Sequence, residues 1–498
     1  MISYDLPIRT EYDLLKLRPI FFVLGALLLI VAGIVLLPAT YIWLEGNESS
    51  VNLNAFLLTS LIALAAGLPL LIVNRSANFH LVPRQMYLLT VASWLIINIF
   101  CALPFILSSI ELRLVDAVFE TVSGTTTTGS TILTDIDLLP RSIMIWRAML
   151  QWLGGIGIIV MVVAIMSHLR VGGMRLFRSE ASDKSEKFTS RTKNIARSIG
   201  AVYLALSLLC TGAYKLGGMG WFNAVLHAMT TISTGGYSTS DLSLQQFASS
   251  NILWISCVFM YLSGLPFVLL VQATRGHGAA LFRDQQVRGY TYFVFLCVLV
   301  LSAWLAMFYD MPVLEALSLG AFTSISIITT TGYTTIDYNL WGGLAVGGLF
   351  FLTFTGACAG STAGGIKMFR FQIATTMLRN QLNSMLHPRG AFPNFYNGRS
   401  VSDEIVTSVI AFSFVFLGTV AVLAVALSLT GLDLITSLSG AVTSVANVGP
   451  GFGDIIGPVG SFSPLPDSAK WLLVTGMILG RLEILTVLVI FTAGFWRG

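Results

Sequence analysis

Charged residues are scarce in this sequence. Only 10% of its 498 residues are Asp, Glu, Lys or Arg, whereas 55% are hydrophobic and the mean hydropathy is +0.81. A soluble domain carries about 25% charged residues, because water must solvate its surface. The composition therefore excludes an ordinary soluble protein and predicts a polytopic membrane protein.

Cysteine and histidine are also rare, with five residues of each. The cysteines are odd in number and all lie in apolar runs, so we expect no disulfide framework. The histidines do not show the spacing of metal ligands, and no nucleophile is paired with a base at helical spacing in the apolar runs. We therefore predict no bound cofactor, no resident metal and no enzyme.

Long polar stretches are lacking as well. The largest polar loop, 168–197, is too short for a cytosolic domain, and no nucleic-acid partner is predicted. The polar N-terminus precedes an apolar run that starts near Ile20, and it lacks the pattern of a cleavable signal peptide. We expect this run to be the first membrane span.

Apolar runs long enough to cross a bilayer recur along the whole chain. We predict ten spanning helices, of which two, near 20–42 and 55–74, precede a repeated region. Loop 168–197 holds eight Lys or Arg against three acids, and further basic clusters lie at 75–84, 274–288 and 378–390. The positive-inside rule places these loops and both termini in the cytoplasm.

Four short strings rich in Thr and Gly recur among the apolar runs: TTTTGSTILT, ISTGGYSTSD, TTTGYTTID and ANVGPGFGD. Their anchoring glycines, spaced by 107, 96 and 117 residues, are Gly129, Gly236, Gly332 and Gly449. Before each string come a spanning run and a short apolar segment, and a second span follows it. These segments open near Asp116, Asn223, Glu315 and Asp433. Such self-similarity indicates four copies of one unit.

Each short segment is too short to cross the bilayer and return, but a half-helix of about 11 residues reaches the midplane. The string must then climb back as extended chain. Lipid cannot satisfy its bare backbone, so all four strings must be buried in protein or line water. We predict an all-α polytopic fold with four pseudo-symmetric helix–pore-loop–helix modules around one central pore, plus two extra N-terminal helices.

A cation is the expected occupant of this pore. The C-terminal ends of the half-helices turn partial negative charge toward the axis, and a ring of backbone carbonyls can replace a cation's hydration shell. Glycine permits the backbone angles that such strings require, and the threonines add hydroxyls and stiff packing. The alternative is that Thr and Gly merely let helices pack closely. Its weakness is that the strings occupy four equivalent positions.

The second span of module three contains four glycines within ten residues, at 356, 360, 364 and 365. Each weakens a helix by about 1 kcal/mol relative to alanine, so we expect a break and a flexible loop beneath the strings. A site of close helix packing is the alternative. A nucleotide-binding P-loop is rejected, because Ile366 separates Gly365 from Lys367.

Arg481 lies about halfway along the last predicted span, where an unpaired charge costs about 3 kcal/mol or more. It should therefore face the bundle interior. The alternative is a structural ion pair with Glu483 or a distant carboxylate, although adjacent side chains on a helix diverge.

These features resemble the Trk/Ktr/HKT superfamily of potassium transporters, in which four pore modules in one polypeptide resemble the subunits of a tetrameric potassium channel. The likeness covers about residues 80–498. Three features make the chain more similar to the bacterial Trk-type pore subunit than to the Ktr type. They are the two extra N-terminal spans, the segment QWLGGIGIIV in module one and the segment GACAGSTAGGIK in module three.

The resemblance implies that the anchoring glycines are selectivity-filter glycines. The ion-binding residues expected from it are Thr127, Thr128, Gly129, Thr234, Gly235, Gly236, Thr330, Thr331, Gly332, Asn447, Val448 and Gly449. Glycine in every module favours potassium over sodium. The strings depart from the channel pattern TVGYG, since Ser130 follows the first glycine, module two has a double glycine and Pro450 follows the last.

The resemblance also implies an intramembrane gating loop, and an arginine beside it that opposes ion passage in the closed state. The expected gate residues are Gly356, Gly360, Gly364, Gly365, Lys367 and Arg481. Further implications are a bacterial inner-membrane location, a homodimer of pore subunits in membrane lipid, and a TrkA-like cytosolic nucleotide-binding subunit docked on loops 168–197 and 379–400.

The expected division of the chain is 1–80 for the N-terminal helix pair, followed by the four modules at 81–180, 181–289, 290–400 and 401–498. The leading function is inward movement of K⁺ through a gated pore. The alternative is a secondary transporter of another small cation or solute, built on broken helices. An intramembrane enzyme is a third possibility that no residue pattern supports.

Overall fold

A computed structural model of the chain describes residues 17–75, 81–161, 188–247 and 249–497. Helices dominate these ranges, as the composition predicts. Most of the predicted basic loop 168–197 lies outside the described residues. Its end is not a loop, because a helix begins at Phe188.

The N-terminal pair consists of α1 (Arg18–Glu45) and α2 (Ser50–Val73), close to the two predicted spans. Two glycines bring these helices into close contact. A Cβ atom added to Gly25 would lie 2.8 Å from the carbonyl oxygen of Gly67. Small residues at the crossing point allow such backbone approach, which drives helix association where the solvent is hydrocarbon.

Each of the four modules begins with a long helix followed by a half-length helix. The long helices are α3 (Pro83–Leu107), α6 (Phe188–Leu216), α11 (Gln285–Phe308) and α15 (Asp403–Ser428). The half-helices are α4 (Leu114–Thr125), α7 (Trp221–Ile232), α12 (Val313–Ile328) and α16 (Leu434–Ala446). Their lengths of 12, 12, 16 and 13 residues carry the chain about halfway across a bilayer.

The second helices of the modules differ from one another. Only α5 (Arg141–Met161), in module one, is a straight span. Module two bends by 99° between α8 (Ser250–Ser263) and α9 (Phe267–Thr274), next to Pro266. The second span predicted for module two is thus divided into two helices, because proline cannot continue the hydrogen-bond ladder.

The last helix of module four is also broken. It bends by 105° between α18 (Asp467–Arg481) and α19 (Ile484–Leu488), which a 3₁₀ turn extends over Val489–Phe491. Glu483 adopts a left-handed φ of 58° at this break. The predicted last span is therefore bent, and Arg481 lies at the bend, as the last residue of α18.

Module three is broken as predicted. Helix α13 (Gly342–Leu352) ends, the chain runs as a loop over 353–367, and α14 (Met368–Leu386) follows. Seven of the described helices are long and apolar enough to cross a membrane, and the two bent pairs raise the number to nine. The tenth predicted span corresponds to α13 and α14, which form no single helix.

Small elements complete the described part of the chain. They are the short helices α10 (Ala279–Arg283), α17 (Gly453–Ile456) and α20 (Ala493–Arg497), the 3₁₀ turns Ile136–Leu138, Ser243–Phe247 and Tyr338–Trp341, a parallel pair β1 (Thr355–Gly356) and β2 (Ile366–Lys367), and an antiparallel pair β3 (Phe395–Tyr396) and β4 (Arg399–Ser400). The pairing of β1 with β2 joins the two ends of loop 353–367. Loop 379–400 is partly helix α14 and partly this β3–β4 hairpin.

An ionic cluster joins modules one and four at one end of the bundle. Lys470 Nζ of α18 lies 2.6 Å from Asp116 Oδ1 of α4, and both side chains are largely buried. Arg113 contacts the other oxygen of Asp116 at 2.9 Å and also reaches Asp467 at 2.9 Å. These contacts connect the first module to the last, so they close the circle of modules.

We predict that Lys470→Met destabilises the protein by about 2 kcal/mol, because Asp116 then loses its buried partner and keeps only the exposed Arg113. The measurement is the unfolding midpoint of the purified protein in detergent. Asp467→Asn is the matched control, since its ion pair is exposed and such pairs contribute little. Equal midpoints for Lys470→Met and the control would contradict the proposed closure.

Candidate functional site

The four Thr/Gly strings share one backbone conformation. Each has a left-handed residue two positions before its glycine, with φ of 53°, 52°, 56° and 55° at Thr127, Thr234, Thr330 and Asn447. The glycines are left-handed too, with φ of 86°, 78°, 75° and 111° at Gly129, Gly236, Gly332 and Gly449. The residues between them have negative φ. This alternation turns successive peptide carbonyls toward the same side of the chain, as a carbonyl-lined ion path requires.

Hydrogen bonds to the half-helices hold the strings in this conformation. The backbone N–H of the residue before each glycine donates to the carbonyl oxygen of the residue five positions earlier, over 2.8 to 3.0 Å. The donor and acceptor pairs are Thr128 and Ser123, Gly235 and Thr230, Thr331 and Ser326, and Val448 and Thr443. The amides are thus satisfied on the side of the half-helices. These bonds use the amide groups of the strings and not their carbonyls.

The strings form a closed ring in chain order. A Cβ atom added to any of the four anchoring glycines would lie within 2.7 Å of a carbonyl oxygen in the next string. The distances are 2.2 Å from Gly129 to Gly235 O, 1.8 Å from Gly236 to Thr331 O, 2.0 Å from Gly332 to Val448 O, and 2.7 Å from Gly449 to Thr128 O. Each glycine therefore faces a carbonyl of the next module, and the fourth faces the first. The structure brings all twelve predicted filter residues together. A side chain at any of the four glycines would push neighbouring strings apart.

Side chains that follow the glycines connect the modules further. Tyr237 Oη of module two donates to Glu120 O of module one over 2.9 Å. Tyr333 Oη of module three lies 2.6 Å from Thr230 Oγ1 of module two. Ser130 Oγ of module one donates to Gly449 O of module four over 2.8 Å. The tyrosines that match the channel pattern and the serine that departs from it thus both supply contacts around the ring.

The polar residues that open the half-helices do not all cap them. Asp433 is the N-cap of α16 and accepts hydrogen bonds from the amides of Ile435 and Thr436. Asp116 and Glu315 instead lie inside the first turns of α4 and α12. All of these acids complement the positive end of a helix dipole, and the opposite ends lie beside the ring.

A buried ion pair that the sequence reasoning missed lies behind the first two strings. Arg147 Nε donates to Glu120 Oε1 over 2.8 Å, and the two side chains are 2% and 0% exposed. Glu120 also accepts from the Thr131 hydroxyl and the Ile132 amide, while Arg147 reaches Ser238 O at 3.1 Å. The pair therefore holds the outgoing chains of modules one and two. The sequence did contain an indication of this ion pair, because Arg147 is a charged residue inside a predicted span and needs a partner there.

A small cavity of about 80 Å³ lies against the ring and is lined by the glycines of all four strings. Asp241, five residues after Gly236, lines it and accepts from the Ile136 amide over 2.8 Å. The pKa of the Asp241 carboxyl is raised above its ordinary value, chiefly by burial. The hydrogen bond from the Ile136 amide lowers this pKa in part, and the nearby carboxylates of Asp137 and Asp135 raise it further. An acid at this mouth favours cations over anions.

Loop 353–367 lies directly against the opposite side of the ring. The Gly364 amide donates to Thr330 Oγ1 over 2.7 Å, and a Cβ on Gly364 would lie 2.2 Å from Ala446 O at the end of α16. Gly360 and Gly365 are left-handed, with φ of 78° and 64°. A Cβ on Gly356 would lie 2.0 Å from Gly364 O. The glycines therefore fold the loop tightly beneath modules three and four.

Arg481 contacts this loop. Its Nη1 donates to Thr362 O over 2.9 Å, and the residue is 4% exposed. In the described ranges its Nε and Nη2 have no hydrogen-bond partner. The alternative pairing with Glu483 was wrong, because the carboxylate of Glu483 binds Arg370 Nη2 at 2.7 Å. Lys367 Nζ donates to Ala363 O within the loop.

A cavity of about 20 Å³ lies beside the loop and is lined by Gly364, Lys367, Asn447 and Arg481, among others. Such a volume holds about one water molecule. The predicted gate residues are thus brought together below the predicted filter.

A family profile described as "TrkH: Cation transport protein" matches residues 52–496. The chain belongs to the TrkH family. Among its relatives, the "Trk system potassium uptake protein TrkI" of Halomonas elongata is 47% identical over 490 residues, which are 98% of this chain and 99% of that protein. The "Trk system potassium uptake protein TrkH" of Salmonella typhimurium is 34% identical over 96% of this chain and 99% of its own.

TrkH-family membership is supported by a solved structure as well. The crystal structure of the potassium transporter TrkH from Vibrio parahaemolyticus superposes with a TM-score of 0.89 at 31% identity, covering 97% of this chain and 100% of that one. The predicted resemblance and fold class are therefore confirmed. This family transports cations, which is not an enzymatic activity.

We predict that Glu120→Gln destabilises the protein by about 3–5 kcal/mol, because it leaves Arg147 buried without its counter-charge. Chemical unfolding in detergent measures the change. The control is the double variant Glu120→Gln/Arg147→Met, in which no unpaired charge remains and most of the stability should return. A double variant as unstable as the sum of its single variants would show that the two charges do not interact.

Proposed function

We propose that this chain is the ion-translocating pore subunit of a Trk-type system that takes up potassium across the bacterial inner membrane. The observation that carries the proposal is the closed ring of four strings, each with the same alternating backbone and each facing the next through a glycine. The potassium uptake named for the relatives points to the same substrate.

The ring acts as the selectivity filter. A K⁺ ion that sheds its water binds carbonyl oxygens of Thr127 to Gly129, Thr234 to Gly236, Thr330 to Gly332 and Asn447 to Gly449. The half-helix ends add negative potential, and Asp241 draws cations to the mouth. A membrane potential of 100 mV contributes about 2.3 kcal/mol per charge, which suffices to concentrate K⁺ about fiftyfold.

Loop 353–367 acts as the gate, with Gly356, Gly360, Gly364, Gly365 and Lys367 as its conformational and charged residues and Arg481 as an electrostatic barrier. The cavity of about 20 Å³ that Arg481 and the loop line together supports this assignment, since it has room for only about one water molecule. The unneutralised guanidinium repels an ion that leaves the filter. Opening requires the loop and Arg481 to move apart.

The functional units follow the repeat, with a helix pair in residues 1–80 and pore modules at 81–180, 181–289, 290–400 and 401–498. The basic loops face the cytoplasm, as do both termini. The active assembly is a homodimer in the lipid bilayer, controlled by a TrkA-like cytosolic subunit that binds nucleotide. Nothing in the described structure favours a secondary transporter of another solute.

Gly332→Ser is expected to lower the ratio of rubidium to sodium uptake at least tenfold in liposomes containing the purified protein. The added side chain starts at a Cβ only 2.0 Å from Val448 O and on a φ of 75°, so the strings of modules three and four must separate. Gly347→Ser is the control, because nothing lies within 4 Å of a Cβ there. An unchanged ratio in Gly332→Ser would rule out this ring as the filter.

Arg481→Ala is expected to raise rubidium uptake more than tenfold. Two like charges about 4 Å apart repel by about 4 kcal/mol at the effective dielectric of a protein, and alanine removes this barrier. Arg481→Lys, which keeps the charge, should retain slow uptake. If alanine and lysine variants transport at the same rate as the wild type, Arg481 is no barrier.

A further inference from the structure

Gln151, on α5 of module one, contacts the filter string of module two. Its Nε2 donates to Gly235 O over 2.6 Å, and its Oε1 accepts from the Tyr237 amide over 3.0 Å. The side chain is fully buried. The two bonds lie on either side of Gly236, so one amide group brackets the glycine of this string.

This contact is specific to module two. Gly235 O is one of the four carbonyls that face the preceding glycine around the ring. Within 17–75, 81–161, 188–247 and 249–497, it accepts a side-chain hydrogen bond, whereas the corresponding oxygens of Thr128, Thr331 and Val448 accept none. A carbonyl has two lone pairs, so Gly235 O keeps one for an ion.

The double glycine of module two has a steric reason. A Cβ on Gly235 would lie 2.4 Å from Cδ, 2.5 Å from Oε1 and 2.8 Å from Nε2 of Gln151, and these are its three nearest atoms. The backbone angle does not require glycine, because Gly235 has negative φ. The space that a Thr or Val side chain holds in the other strings is thus taken by Gln151.

We propose that Gln151 is a positioning residue that fixes the filter string of module two and thereby determines the preference for potassium over sodium. A string with two successive glycines has more backbone freedom than its three counterparts. The hydrogen bonds of Gln151 remove that freedom. They also hold Gly235 O beside Gly129, where a Cβ on Gly129 would lie 2.2 Å from it. The inference rests on the proposed role of the ring as a filter.

The first test is Gln151→Met, which keeps the side-chain volume but removes both hydrogen bonds. We expect the ratio of rubidium to sodium uptake in liposomes to fall about tenfold, which corresponds to about 1.4 kcal/mol, while sodium uptake persists. Gln151→Glu keeps the acceptor but loses the donor, so it should show the same defect. A wild-type ratio in Gln151→Met would overturn the proposal and leave Gln151 a packing residue.

The second test exchanges the two side chains. Gly235→Ala alone should abolish selectivity, because its Cβ collides with Gln151. In the double variant Gln151→Ala/Gly235→Ala the space is free, and selectivity should recover above that of either single variant. Equal defects in Gly235→Ala with and without Gln151 would contradict the steric argument.

A readout that does not depend on flux accompanies both tests. Potassium bound in the folded filter raises the unfolding midpoint in detergent, and sodium should raise it less. Gln151→Met should lose this difference while its midpoint without either ion stays measurable. A wild-type protein that neither transports nor responds to potassium would refute the proposed function itself. A selective wild type with equally selective Gln151 variants would refute only the inference.

Discussion

Bare backbone in the middle of a membrane needs a partner for every amide and carbonyl, because hydrocarbon offers none. In each string the amide before the glycine is satisfied by the half-helix, at Ser123, Thr230, Ser326 and Thr443. Side chains supply a partner to some of the carbonyls, such as Gly235 O and Gly449 O, and in the proposed function a bound cation supplies the rest. Half-length helices, left-handed glycines and the closed circle of modules all follow from this single requirement.

The sequence predicts the repeated features of the molecule well, because they depend on local physical chemistry. The need for glycine at Gly129 and Gly332 can be predicted from the sequence, because a left-handed backbone and the close approach of a neighbouring string both exclude a side chain. Apolar length reveals the spans, and the glycines of loop 353–367 reveal one break. The break beside Pro266 is visible in the sequence, since proline cannot continue a helix, although no break was predicted there. The break at Glu483 went unpredicted, because it depends on what packs around this residue and not on helix propensity.

Contacts between different modules could not be predicted from the sequence of any single string. Gln151 and Gly235 are 84 positions apart and belong to different modules, as do Arg147 and Ser238. Neither pair has a sequence spacing that marks it. The double glycine of module two looks like a loss of the pattern when read alone. The structure explains the second glycine, because the side chain of Gln151 fills the space beside Gly235.

The proposed filter and the proposed gate contact each other directly, and this limits how independently they can act. The Gly364 amide of the loop donates to the hydroxyl of Thr330 in the third string, and the loop backbone packs on Ala446 at the end of a half-helix. Arg481 in turn holds the loop through Thr362 O. A loop that leaves its position therefore removes support from the strings of modules three and four. The loop also contacts module two, since Thr362 Oγ1 donates to Ile232 O at the end of α7 over 3.3 Å, so its movement also changes the support of that string. Arg147, Glu120 and Gln151 add further contacts behind the strings of modules one and two from a different helix pair.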